Sequence, residues 1–163
     1  MSEHEEIVEK AKSVVETLLD KLGVKATVGL HPDPLVIQED EAPQAIVFNI
    51  TGDDLGILIG RHGQTLASLQ YIVRIITAQQ AKSWIPVILD VEGYKQRRYQ
   101  ALRSLAMSIA DMVKIKKMQF KLEPMPAYER RIIHLALMDN PDVMTVSTGE
   151  GEARRVVVSP KQK

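Results

Sequence analysis

The stretch from Gly56 to Arg74, GILIGRHGQTLASLQYIVR, constrains this chain more than any other, because Gly60 and Gly63 stand three apart between two helical patterns. The first pattern, Asp53 to Ile59, is short and apolar at its end; the second sets Leu66, Leu69, Val73 and Ile76 at helical spacing, one stripe to be buried. Glycine at each end of Gly60-Arg61-His62-Gly63 permits unusual backbone angles and removes the bulk that would keep a sugar-phosphate chain from main-chain N–H groups. The loop also opens the second helix, where unpaired N–H groups and the dipole favour an anion. Arg61 and His62 add cationic or hydrogen-bonding heads, and Gln64 follows directly. These five residues, Gly60 to Gln64, read as a backbone clamp for nucleic acid.

Other phosphate loops do not fit. A Walker loop ends in G-K-[ST], which is absent, and Gly56, Gly60 and Gly63 lack the spacing of the dinucleotide fingerprint. A tight helix-turn-helix connection would also use G-x-x-G. The Ile-Leu-Ile lead-in, the two basic-capable residues and the long amphipathic helix after them favour instead the logic of a KH domain, whose GxxG loop grips the backbone of a few single-stranded nucleotides.

The flanking order agrees. Ile7, Ala11, Val14, Val15, Leu18, Leu19 and Leu22 predict a first helix, with Gly23 at its C-terminal cap. Val24 to Leu30 alternates as a strand, His31-Pro-Asp-Pro breaks it, and Leu35 to Gln38 continues as an edge strand before an acidic turn, Glu39 to Pro43. Gln44 to Thr51 reads as a central strand and Ile85 to Val91 as a third, with Pro86 near its start. The order is α-β-β-α-α-β. From Gly93 the character changes: Tyr94 to Met118 predicts one long basic helix with Leu102, Leu105, Ala106, Ile109, Met112 and Val113 on its apolar face. The domain boundary is placed at Glu92 to Lys95. A short strand over Phe120 to Leu122, a helix from Ala127 to Asp139, and a hairpin of Val143 to Thr148 with Arg154 to Ser159 complete the second unit.

Charge bears on the partner. Lys and Arg number 21, as do Asp and Glu, which taken alone argues against nucleic acid; attraction to phosphate, however, depends on local patches. No Lys or Arg occurs from Ala26 to Gly60, whereas Tyr94 to Lys121 carries Lys95, Arg97, Arg98, Arg103, Lys114, Lys116, Lys117 and Lys121 against the single acid Asp111. Arg154 and Arg155 add to the positive set. A second candidate site lies in Tyr128-Glu-Arg-Arg-Ile-Ile-His134: Arg130 and His134 are four apart, hence on one helix face, with Arg131 beside them and Ile133, Ala136 and Leu137 turned inward. A guanidinium beside an imidazole makes a phosphate-facing pair.

The basic helix, the run EPMPAYERRIIHLAL and the hairpin GEGEARRVVV resemble the R-3-H domain, named for an Arg and a His separated by three residues. Together with Gly60-Arg-His-Gly63 in its α-β-β-α-α-β unit and Asp90-Val-Glu-Gly-Tyr94 at the joint, the chain resembles the bacterial Jag family, KH plus R-3-H proteins also called sporulation-protein-J-associated or EloR-like. The resemblance implies an α+β fold: a type II KH domain over residues 1–92, its three-stranded sheet carrying helices on one face, then a small α/β R-3-H domain over 93–160. It further implies cytoplasmic binding of single-stranded RNA, with single-stranded DNA as the alternative, RNA-chaperone behaviour, control of cell elongation and envelope synthesis, and pairing with a small single-KH protein. Many family members carry an additional N-terminal Jag domain and linker. This chain begins at the KH helix, so a member lacking that domain is expected and its membrane-proximal recruitment is not carried over.

The remaining signals exclude more than they suggest. With no cysteine there is no disulfide framework or thiolate metal site, and His4, His31, His62 and His134 show no metal-ligand spacing. No Ser sits in G-x-S-x-G. No catalytic residue, metal or cofactor is expected; Glu129 reads as surface charge, Trp84 as a plug at a helix-to-strand corner, and Met107, Met112, Met118, Met125 and Met138 as core and edge filler. No apolar run reaches membrane-spanning length, and MSEHEE is the opposite of a basic signal-peptide start. The rival reading is a protein-interaction adaptor, its KH unit a homodimerisation domain and its basic helix meeting an acidic partner.

Overall fold

Helix α1 (Glu3–Lys21) begins on a reciprocal cap: Glu5 N–H donates to Ser2 Oγ at 3.2 Å, and Ser2 N–H donates to Glu5 Oε2 at 2.7 Å. That bond from the Ser2 backbone is the first cause holding the Glu5 carboxyl below its usual range, followed by the Ser2 hydroxyl. The structure, a computed structural model, describes residues 1–33 and 45–162. The helix ends in a Schellman turn: Gly23, at φ 71°, donates to Asp20 O and Val24 N–H to Leu19 O. This exit engages Val24, and the strand predicted from that residue starts later, at β1 (Thr27–Leu30).

The chain divides into two compact units, Met1–Gln96 and Arg97–Lys163. In the first, β2 (Ile46–Thr51) pairs antiparallel with β1, Thr27 opposite Thr51, and parallel with β3 (Val87–Val91), Ile46 opposite Val87, in the order β1-β2-β3. A parallel pair needs a crossover. It is supplied by α2 (Gly56–Ile59), a 3-10 turn (Arg61–Gly63) and α3 (Gln64–Ala81). Alternate residues of the strands, Ile46, Phe48 and Ile50 with Val87, Leu89 and Val91, form one core with Ile7, Ala11 and Val15 of α1 and Leu66, Leu69 and Val73 of α3. The predicted edge strand Leu35 to Gln38, the acidic turn Glu39 to Pro43, and Gln44 lie outside the described residues.

Two boundaries and one side-chain role differ from the sequence expectation for local reasons. The helix predicted from Asp53 starts at Gly56, because Asp54 takes a left-handed φ of 53°. The third strand omits Ile85 and Pro86: the proline has no N–H, and its carbonyl instead accepts from Ile46 N–H at 2.9 Å. Trp84 does not plug the corner. Lys82, left-handed at φ 52°, ends α3, Ile85 packs against the core, and Trp84 is 64 % exposed.

The second unit joins α4 (Tyr94–Lys116), whose first three residues belong to the first unit, and α5 (Ala127–Leu137) to an antiparallel sheet of β4 (Phe120–Lys121), β6 (Arg155–Pro160) and β5 (Val143–Thr148), with β6 central. Its core gathers Leu102, Ala106, Ile109, Ala110 and Val113 with Ile133, Leu137, Val143, Val156 and Val158. Leu105, predicted inward, sits on the rim of that helical face and is exposed, while Ala110 is buried. Of the methionines read as filler, Met125 is buried and Met112 partly so; Met107, Met118 and Met138 are exposed.

Two of these elements are fastened by buried polar groups. Asp90, 1 % exposed on β3, accepts Lys95 N–H at 3.1 Å and so caps the first turn of α4. Glu129, read as surface charge, is instead fully buried (0 % exposed): Arg98 Nε lies 2.8 Å from its Oε1 and Nη2 3.0 Å from Oε2, a bidentate pair between α4 and α5.

Candidate nucleic-acid interface

At the first candidate site the backbone takes a form that side chains forbid. Gly60 has φ 69° and ψ −175°, a region populated almost only by glycine. A Cβ there would lie 2.8 Å from Thr65 Cβ and 3.0 Å from Thr65 N, and would overlap the Thr65 hydroxyl. His62 (φ 53°, ψ 27°) and Gly63 (φ 73°, ψ 15°) are both left-handed, and Gln64 opens α3 in right-handed geometry. No side chain caps this helix start. Within the turn Gly63 N–H donates to Gly60 O at 3.4 Å and Gln64 N–H to Arg61 O, and the 18-residue helix starts beside an exposed Arg61 and a partly exposed His62, at the end where its dipole favours an anion.

The second candidate site is built on α5 and the hairpin. Arg130 and His134 do share one face of α5, both partly exposed. The imidazole is held from both sides by β5: Nδ1 lies 2.7 Å from Thr145 Oγ1, and Nε2 lies 2.8 Å from Ser147 Oγ. Burial first, then the Arg130 and Arg154 guanidinium groups, push the His134 pKa below its usual value. Arg154 Nη1 donates to Gly149 O at 2.8 Å and Arg155 Nε to Ala153 O at 3.4 Å, so both also brace the hairpin turn. Thr145 and Ser147 were not singled out from the sequence. The signal was present in the period-two pattern of Val143–Thr148, which sets Val143, Thr145 and Ser147 on one face.

The basic helix is engaged as much internally as outward. Lys95 is partly buried, its Nζ 3.2 Å from Gln70 Oε1, and Arg98 is tied to Glu129. Arg103 stacks over the Tyr99 ring at 5.8 Å, and Lys114 Nζ lies 3.0 Å from Asp142 Oδ2. Arg97 and Arg131 are exposed. Among the described residues no group of three or more His, Asp or Glu could hold a metal ion.

Comparison with known families meets this geometry in both units. A model described as the KhpA/KhpB KH domain matches residues 12–88, and one for the R-3-H domain matches residues 100–160. RNA-binding protein KhpB of Clostridium symbiosum is 39 % identical over 159 residues, covering 98 % of this chain and 68 % of that protein. The chain belongs to the KhpB family. KhpB of Bacillus subtilis is 32 % identical over 157 residues, 95 % of this chain and 71 % of its own, and KhpB of Lactiplantibacillus plantarum 40 % over 149 residues, 91 % and 45 %. The Jag-like resemblance of the sequence is thus a KhpB-family relationship, and the α+β fold, a KH-like unit followed by a small R-3-H-like unit, matches the order of the two family models. Both are binding modules without catalytic machinery. Among the described residues of this KhpB-family chain, no helix is long and apolar enough to cross a membrane.

Proposed function

We infer that this chain grips single-stranded RNA through two modules, a type II KH unit (residues 1–92) and an R-3-H unit (93–160). The KH clamp is Gly60, Arg61, His62, Gly63 and Gln64. The second module contributes Arg130, Arg131, His134, Arg154 and Arg155, and Lys95, Arg97 and Arg98 add positive charge from α4. The observation that carries the reading is the Gly60 backbone, which almost only glycine adopts and which sets the exposed Arg61 at the start of α3, where no side chain caps the helix and its dipole favours a phosphate. Single-stranded DNA, with the same backbone charge, is the second ligand. Family membership supports an RNA chaperone or post-transcriptional regulator in the cytoplasm, tied to cell elongation and envelope synthesis.

The test is Arg61→Asp with His62→Asp. Arg61 is exposed and Asp tolerates the left-handed φ of His62, so the fold survives. Two anions against phosphate lower RNA affinity at least tenfold, about 1.4 kcal/mol. Unchanged affinity in the folded variant removes the clamp.

A second reading has its own observation. Tyr71, Ile72 and Ile75 form an exposed apolar stripe along α3, which suits a small single-KH protein or a second copy of this chain. Pairing through β3 is disfavoured, because Gln70 Oε1 accepts Leu89 N–H at 2.9 Å and Arg74 Nε donates to Val87 O at 2.7 Å, closing that sheet edge. Ile72→Asp should abolish an association seen by sedimentation if the stripe mediates it.

A further inference from the structure

His134 has no ring nitrogen to spare. Thr145 Oγ1 and Ser147 Oγ occupy Nδ1 and Nε2 at 2.7 and 2.8 Å, so a ligand reaching this face of α5 meets a hydroxyl-imidazole-hydroxyl cluster. A neutral imidazole is a donor at one nitrogen and an acceptor at the other. One hydroxyl must then spend its proton on the ring, while the other accepts from the ring and keeps its own proton free. A doubly protonated ring donates to both, and both hydroxyl protons become available.

We propose that Thr145 and Ser147 are phosphate-contacting residues of the R-3-H unit, and that His134 is a positioning residue setting whether β5 offers one hydroxyl donor or two. This rests on the RNA-binding reading above and deepens it. All three side chains are partly exposed, as a contact with a backbone phosphate requires. The charged groups bearing on the imidazole are both cations, Arg130 on its own helix and Arg154 from the hairpin, and β5 contributes the two hydroxyls. Without a ligand, burial and these cations favour the neutral ring. An incoming phosphate offsets the cations and accepts from both hydroxyls, so binding takes up a proton at His134, and affinity strengthens as pH falls toward the range in which the free ring would protonate.

The test titrates a fluorescently labelled oligouridine across pH against the full chain and four variants, each checked by thermal melt. Thr145→Val with Ser147→Ala should weaken binding about tenfold. Thr145→Ser with Ser147→Thr, which keeps both hydroxyls, should bind as the parent does. His134→Gln should remove the strengthening at low pH that the parent shows. A folded hydroxyl-less variant with parental affinity, a hydroxyl-retaining variant as weak as the hydroxyl-less one, or a parent whose pH profile matches that of His134→Gln would each overturn the proposal. Arg130→Ala separates the two levels: its weakening beside an unaffected hydroxyl-less variant defeats only this inference. Its parental affinity would defeat the RNA-binding assignment of the unit itself.

Discussion

Gly60→Ala isolates the feature on which the clamp depends. The substitution adds one methyl group and no charge, so any effect comes from backbone and space. Placing a non-glycine residue at φ 69°, ψ −175° costs about 1–3 kcal/mol. The new Cβ meets the Thr65 side chain and, at 3.0 Å, the Thr65 backbone nitrogen, which no rotamer change can move; overpacking of this kind costs a further ~1–3 kcal/mol. The expected loss is therefore about 2–6 kcal/mol, a large part of the roughly 5–15 kcal/mol that holds a domain together. Gly63 provides the internal reference. Its αL angles are accessible to other residues at a cost of about 1–2 kcal/mol, so Gly63→Ala should be the milder change. Urea unfolding followed by Trp84 emission reads the first unit, because Trp84 is the only tryptophan and lies within it. A Gly60→Ala loss no larger than that of Gly63→Ala would mean that the special geometry of Gly60 carries no energy.

Other expectations follow from the buried and titrating groups. Glu129→Ala removes the buried carboxylate that Arg98 pairs with and should destabilise the second unit by about 3–5 kcal/mol by chemical denaturation, whereas Lys116→Ala, at an exposed position, should cost little. His134 has its pKa lowered in the folded state, so the folded protein prefers the neutral ring. The stability this gives is present above the unfolded value near 6.5 and is lost as pH falls through the folded value. His134→Gln should remove that component of the pH dependence, as read by melting across pH. RNA affinity should weaken with salt at a log-log slope of roughly −0.7 per phosphate neutralised, and a flat dependence would favour the adaptor reading.

Much of this was legible in the sequence because it is local. The GxxG loop, the Schellman glycine of α1, the α3 stripe and the β5–β6 hairpin each depend on residues within a few positions of one another. Glu129 was not legible. Its neighbours Tyr128 and Arg130 suggest a solvated helix face, and the partner that explains its burial, Arg98, lies 31 residues away on another helix. Asp90 likewise looked like one more polar residue at a joint, whereas it caps the start of α4 from a buried strand. In sequence the basic run from Tyr94 to Lys121 reads as one charged surface. In space it is divided among an ion pair with Glu129, one with Asp142, a ring contact with Tyr99 and a bond to Gln70, because helical geometry points neighbouring residues in different directions.

Two separate sites, the Gly60–Gln64 turn and the α5–β5 face, are expected to touch one single-stranded RNA, and amide NMR during titration with an RNA oligonucleotide shows both at once. Two clusters of shifted resonances are expected, one over Gly60 to Gln64 and one over Arg130 to His134 with Thr145 and Ser147. Shifts confined to the Tyr71, Ile72 and Ile75 stripe, or their absence from either cluster at saturating RNA, would contradict binding at two sites.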